Sequence, residues 1–154
     1  MNPHRTTFTT TRTGLDRQLY PMRLWQKAKR LGTWDPAAID FTADAADWKE
    51  LTEPEQDLLL RLTAQFQGGE ESVTYDLLPL LQVMAEAGRI EEEMFLTSYL
   101  WEEAKHVEGF GRFLRDVAGA EGNLDHYFTD AYRHIFFDAL PNAMHRLRSD
   151  ASPT

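Results

Sequence analysis

Apolar residues recur every three or four positions along two long stretches of this chain, a spacing that puts them on one face of a helix. The first run is Leu59, Leu62, Phe66, Val73, Leu77, Leu80 and Met84, and the second is Leu96, Tyr99, Phe110, Phe113 and Val117. Both faces are expected to be buried. A capping box with proline in the first turn, Thr52-Glu53-Pro54-Glu55, opens the first helix, and Gly88 closes it. Pro79 removes a backbone donor and crowds the carbonyl of Tyr75, so a kink or break is expected there. Gly68-Gly69 costs roughly 1 kcal/mol of helix propensity per glycine. Close approach of another backbone, or a distortion that aims Glu70, is expected to compensate.

Shorter elements surround this pair. Pro21 to Gly32 reads as an amphipathic helix whose Trp25 packs rather than binds, Trp34-Asp35-Pro36 as a turn, and Thr42 or Asp44 as the cap of a brief helix through Trp48. After the second long helix the chain turns at Gly119 to Asn123. Two short helices are expected beyond it, Asp125 to Phe137 and Pro141 to Leu147, divided at Leu140-Pro141. Ser152-Pro153 reads as the cap and first position of one more helix. Residues 1–16, including His4, read as a tail that is disordered or packs along the bundle, and His126, His134 and His145 as surface or interface histidines. If the connection Ala85 to Ile90 turns the chain back, the long helices form an antiparallel pair, and the expected architecture is all-α, one domain over 1–154.

Ionisable residues interrupt both stripes. Glu103 and His106 lie on the apolar face of the second helix, one turn apart, and Glu70 lies on that of the first. Glu102 shares its stripe with Phe95, Ser98 and Gly109, and Glu71 shares its own with Gln67, Thr74 and Leu78, so both are assigned to the outside. An unpaired buried carboxylate is costly and needs a cation, a proton or donors. For an isolated Glu-x-x-His the better reading is an ion pair filling a polar pocket. A Glu on one long helix followed by Glu-x-x-His on the next is instead the half-site of carboxylate-bridged dinuclear metal proteins. Oxygen and nitrogen donors suit iron or manganese better than a structural zinc. A full site needs a second Glu and a second Glu-x-x-His, which the sequence does not contain.

Composition narrows the chemistry further. The 154 residues include no cysteine, which excludes disulfides, iron–sulfur clusters and thiolate-bound metals. A net charge of -9, with no basic cluster beyond Lys27 to Arg30, argues against nucleic acid as a partner. No apolar run spans a bilayer and the start lacks the apolar centre of a secretory signal, so a cytoplasmic protein is expected.

The segments WDPAAIDF (Trp34 to Phe41), FQGGEESVTYDLLP (Phe66 to Pro79) and FLTSYLWEEAKHVEGF (Phe95 to Phe110) resemble the ligand-binding oxidases related to the ribonucleotide reductase small subunit. The resemblance runs from about Leu24 to the end of the chain. It implies a ferritin-like four-helix bundle, of which this chain supplies the first two core helices. It further implies a manganese–iron cofactor (or two irons) that activates O2, a long-chain fatty acid bound against the metals, and a homodimer. Carried over by motif, Glu70, Glu103 and His106 are ligands, with Glu103 bridging, and Val73 matches the valine joined by an ether bond to a tyrosine. Phe66, Tyr99 and Phe110 are expected around the metals, although core packing explains them equally well. The second half of the family's pattern, with its Glu, Glu-x-x-His and tyrosine, is absent, and Tyr127 and Tyr132 do not replace that tyrosine. A fragment, a separate second chain or two copies about a twofold axis would each account for this. Phe110 stands where radical-storing reductase subunits carry tyrosine, which leaves the manganese–iron type of small subunit as the alternative; a metal-free helical interaction module is the third reading.

Overall fold

The computed structural model describes residues 7–120 and 122–149. Every regular element among them is helical: α1 (Thr9–Arg12), α2 (Tyr20–Leu31), α3 (Thr42–Glu50), α4 (Glu53–Asp76), α5 (Leu78–Glu86), α6 (Ile90–Phe113), α7 (Asp130–His134) and α8 (Leu140–Arg146), with 3-10 turns at Pro36–Ala38 and Asp125–Tyr127. The expectations placed on His4 and on Ser152-Pro153 fall outside the described residues. No helix among the described residues is long and apolar enough to cross a membrane.

Local chemistry sets the boundaries of the central pair. The capping box of α4 forms, the Glu55 carboxylate accepting the Thr52 N–H at 2.8 Å. At the other end α4 stops at Asp76 and α5 starts at Leu78, placing Pro79 in a first turn, where its missing N–H has no partner to lose. Gly88, at φ 71°, takes the left-handed turn that reverses the chain, and α6 returns antiparallel to α4 and α5. The N-cap of α3 is Phe41, which offers no side-chain bond, so neither expected cap forms and the residue before it steadies the first turn. Asp40, not Thr42 or Asp44, accepts the Thr42 N–H at 2.9 Å and the Thr42 hydroxyl at 2.6 Å.

Two further differences have physical causes. Asp125–Tyr127 is a separate turn, and the following helix begins at Thr129, whose hydroxyl accepts the Tyr132 N–H at 3.1 Å. Pro141 does not divide that helix. A π-helical turn over Ile135–Ala139 links α7 to α8, the Leu140 N–H reaching back to the Ile135 carbonyl, and this wider turn seats Pro141 where no donor is required.

Packing is asymmetric about α4. Gly68 is compensated by side chains rather than by another backbone: a Cβ there would meet Tyr132 Oη at 2.7 Å and Phe128 Cζ at 3.0 Å, and the Tyr132 hydroxyl donates to the Gln65 carbonyl at 2.8 Å. On the opposite side the expected burial fails. Leu59, Leu62 and Phe66 are 36%, 48% and 50% exposed, whereas Thr63 and Ala64 are buried. The described helices cover α4 from the Thr63 and Ala64 side and leave the Leu59 to Phe66 part of its apolar stripe open, a face of the kind that marks a contact with further protein or ligand.

The outer side of α6 is fastened to the segment after α2. Buried Lys105 donates to the carbonyls of Gly32 (3.1 Å) and Trp34 (3.3 Å), and Arg112, two turns on, donates to those of Pro36 and Ile39. Thr9 and Asp16, before α2, are held as well. Asp16 donates its N–H to the buried Glu91 carboxylate at 2.7 Å, and the Thr9 hydroxyl reaches the Gly88 carbonyl at 3.3 Å.

Candidate metal centre

The ionisable residues of the two stripes converge between α4 and α6. One donor atom from each of Glu70, Glu103 and His106 falls within 4.8 Å of the others, the one such three-residue group among the described residues. His106 Nδ1 lies 3.4 Å from Glu70 Oε2 and 3.5 Å from Glu103 Oε2. That nitrogen is itself buried and has no hydrogen-bond partner, because neither carboxylate meets it in bonding geometry.

Two carboxylates held this close repel. Burial, then the hydrogen bond and negative charge of Glu103, push the Glu70 carboxyl up to about 7, and His106 only partly opposes them. Tyr99 lies against the same pair: desolvation, followed by the charge of Glu103, raises its phenol above the ordinary range. A group of hard oxygen and nitrogen donors with an unsatisfied ring nitrogen and mutually repelling carboxylates fits a cation between them.

The other expected residues gather nearby. The Phe66 and Phe110 rings stack across the interface of α4 and α6, 5.6 Å apart and 1° from parallel. Phe110 and His106 also line an apolar cavity of about 350 Å³ with Trp34, Phe41 and Phe113. Val73 is half-buried on α4, one turn beyond Glu70. Tyr127 and Tyr132 are engaged elsewhere, on Asp57 at 2.7 Å and on the Gln65 carbonyl. His134 pairs with Asp138 at 3.2 Å on the exposed side of its helix, and His126 Nδ1 sits 3.0 Å from the Asn123 carbonyl.

Glu71 is exposed, as its stripe suggests, but Glu102 is not simply outside. Its carboxylate accepts the Trp34 indole N–H at 2.8 Å and pairs with Lys105 at 2.9 Å. Burial alone would raise this carboxyl, yet the hydrogen bonds from Lys105 and Trp34 leave it below its ordinary value. Trp34 in turn stacks on His106, with ring centroids 5.6 Å apart and 25° between planes. These neighbours were missed in the sequence because the polar stripe of α6 was taken to face water. The signal available was an acid and a base three residues apart, Glu102 and Lys105, interleaved with Glu103 and His106.

No family model matches the chain. Solved structures do. An R2-like ligand-binding oxidase with a tyrosine-to-phenylalanine substitution and an aerobically reconstituted Mn/Fe cofactor is 43% identical, with a TM-score of 0.93 over 97% of this chain and 55% of its own. A valine-to-leucine variant with the same cofactor, and a glycine-to-leucine variant with a non-activated Mn/Mn cofactor, are each 42% identical at the same TM-score and coverage. The chain thus spans little more than half the length of these oxidases, with the ferritin-like helical fold over that length. Over the part that it spans, the chain is similar in sequence and fold to the R2-like ligand-binding oxidases.

Proposed function

We propose that this chain provides one half of a dinuclear metal oxidase centre. Glu70, Glu103 and His106 are the ligands, and manganese and iron, as in the similar structures, are the metals. The observation that carries this reading is the convergence of three oxygen and nitrogen donors, among them a buried ring nitrogen that lies within ion-pair distance of both carboxylates but has no hydrogen-bond partner. Bound metal would supply the activation of O2, converting it to an oxidant for a nearby C–H bond. The chain's own residues hold and shield that site. Glu70 and Glu103 neutralise the cationic charge, His106 completes the donor set, and Phe66 and Phe110 close one side with apolar surface.

The remaining ligands, a second Glu and a second Glu-x-x-His, come from a further segment, a second chain or a second copy packed on the open stripe of α4, where Leu59, Leu62 and Phe66 are exposed. The same apolar surface suits the alkyl part of a long-chain fatty acid. Val73 is the residue placed for an ether bond to a tyrosine of that further segment, a step that removes one hydrogen from the valine C–H and one from the phenol, with O2 as the oxidant. The assembled oxidase is a homodimer in this reading.

Binding of Mn(II) and Fe(II) by the purified chain, compared with Glu103→Gln and Glu71→Gln, tests it. Glu103→Gln keeps the shape but removes a ligand charge and is expected to lose the metal, while exposed Glu71→Gln is expected to keep it. Equal metal content in the wild type and Glu103→Gln overturns the proposal. Lipid extraction and intact mass of the loaded protein test the fatty acid and the cross-link separately.

A further inference from the structure

The metal reading uses only two residues of the EEAKH run, Glu103 and His106, and leaves Glu102 and Lys105 without a role. Both engage one residue from the distant segment after α2. Glu102 accepts the Trp34 indole N–H at 2.8 Å, and Lys105 donates to the Trp34 carbonyl at 3.3 Å while its ammonium lies 4.7 Å from the indole centroid. Lys105 also pairs with Glu102 at 2.9 Å. Trp34 is thereby fixed by its indole N–H, its main-chain carbonyl and the face of its ring, by two residues within about one turn of His106. Its ring stacks on the His106 imidazole.

This approach of Glu102 is itself provided for. A Cβ at Gly32 would collide with Glu102 Oε1, so glycine there leaves room for the carboxylate. The charge is buried where it does this: Lys105 is 6% exposed, and its ammonium meets the carbonyls of Gly32 and Trp34, the Glu102 carboxylate and the rings of Trp34 and Trp101. A lysine that only solvated the helix would not be taken out of water and served in this way.

We propose that Trp34 is a positioning residue for His106: held by Glu102 and Lys105, its indole restricts rotation of the imidazole and keeps Nδ1 turned toward Glu70 and Glu103. Through Nδ1 His106 has only the long ion pairs to Glu70 and Glu103 and no hydrogen bond, and its side chain is 41% exposed, so the stack against Trp34 adds the constraint on ring rotation that those contacts lack. The inference rests on the metal reading for its purpose, but the orientation of the ring is measurable without metal. The EEAKH run then contains two interleaved pairs, Glu103 and His106 for the centre, Glu102 and Lys105 for the residue that aims the histidine.

The test is NMR of the metal-free full chain with labelled histidine, together with Mn(II) titration followed by the signal of free Mn(II). Wild type should show contacts from the indole to the His106 ring and from that ring to the Glu70 and Glu103 side chains. Trp34→Leu should lose the carboxylate contacts and bind Mn(II) about 10-fold more weakly or worse, the range for losing a group that orients a ligand. Trp34→Phe, which keeps a ring but no N–H, should retain part of both and guards against a leucine variant that fails to fold. Either variant, folded, with His106 contacts and Mn(II) affinity unchanged overturns the inference. A wild type that shows the contacts but binds no Mn(II) overturns the metal reading and leaves the positioning role standing.

Discussion

Gly68→Ala places a methyl group where the structure has no room, and its sign separates a packing role from a conformational one. In a helix interior alanine is favoured over glycine by about 1 kcal/mol, so substitution in α4 would stabilise the chain if space were free. At Gly68 the new Cβ meets Tyr132 Oη at 2.7 Å and Phe128 Cζ at 3.0 Å. Tyr132 cannot easily yield, because its ring is held between those of Phe128 and Phe136, at 4.6 and 4.4 Å. Overpacking of this kind costs about 1–3 kcal/mol. Displacing the hydroxyl also forfeits its bond to the Gln65 carbonyl, a loss of about 1 kcal/mol. The net expectation is destabilisation by about 1–3 kcal/mol, a fall in melting temperature of roughly 2–12 °C for a chain of this size. Gly109→Ala is the control, since a Cβ there meets nothing within 4 Å and should stabilise. Thermal and urea unfolding followed by circular dichroism measure both. Tyr132→Phe in the Gly68→Ala background should recover part of the loss by removing the closest contact. If Gly68→Ala stabilises as much as Gly109→Ala, the close approach of Tyr132 is not what Gly68 accommodates.

Further expectations test other levels of the structure. Thr129→Ala removes the hydroxyl that accepts the Tyr132 N–H at the start of α7 and should cost about 1 kcal/mol in urea unfolding; no change would mean that the cap is not needed there. The capping-box bonds from Thr52 hold the Glu55 carboxyl below its ordinary 4.5, so its contribution is complete above that value and is lost as pH falls through the lowered one. The stability gap between wild type and Glu55→Gln should therefore close on acidification, and a gap independent of pH contradicts this. Glu102→Gln leaves an acceptor for the Trp34 N–H but removes the partner charge of buried Lys105. Measurable destabilisation is expected by urea titration, and wild-type stability would show that the pair contributes nothing.

Where the sequence alone succeeded, the determining groups are neighbours along the chain. Thr52 and Glu55 lie three residues apart, Pro79 acts on its own turn, and Gly88 and Gly119 take up left-handed backbone where a helix must end. Glu103 and His106 share a face by spacing alone, and Glu70 interrupts a long stripe, so the three could be picked out before their separation was known. Where it failed, the deciding partner is remote. Glu102 lies on a polar stripe, and nothing within α6 tells that Trp34, from 68 positions away, covers it. The composition of the stripe through Leu59, Leu62 and Phe66 marks it for burial, yet burial depends on what packs against it, and the described helices pack the other side of α4. Gly68-Gly69 announced a close approach without naming Tyr132 as its cause. Pro141 looked like a helix end because the π-helical turn that accommodates it is a property of the surrounding packing.

The most direct test of the central claim is elemental analysis of the purified chain together with its mass in solution. Manganese and iron in stoichiometric amount, carried by an assembly that contains a second chain, another segment or a second copy and lost in Glu103→Gln, is the predicted result. A chain that stays free of metal after anaerobic exposure to Mn(II) and Fe(II), with or without an added partner, contradicts it.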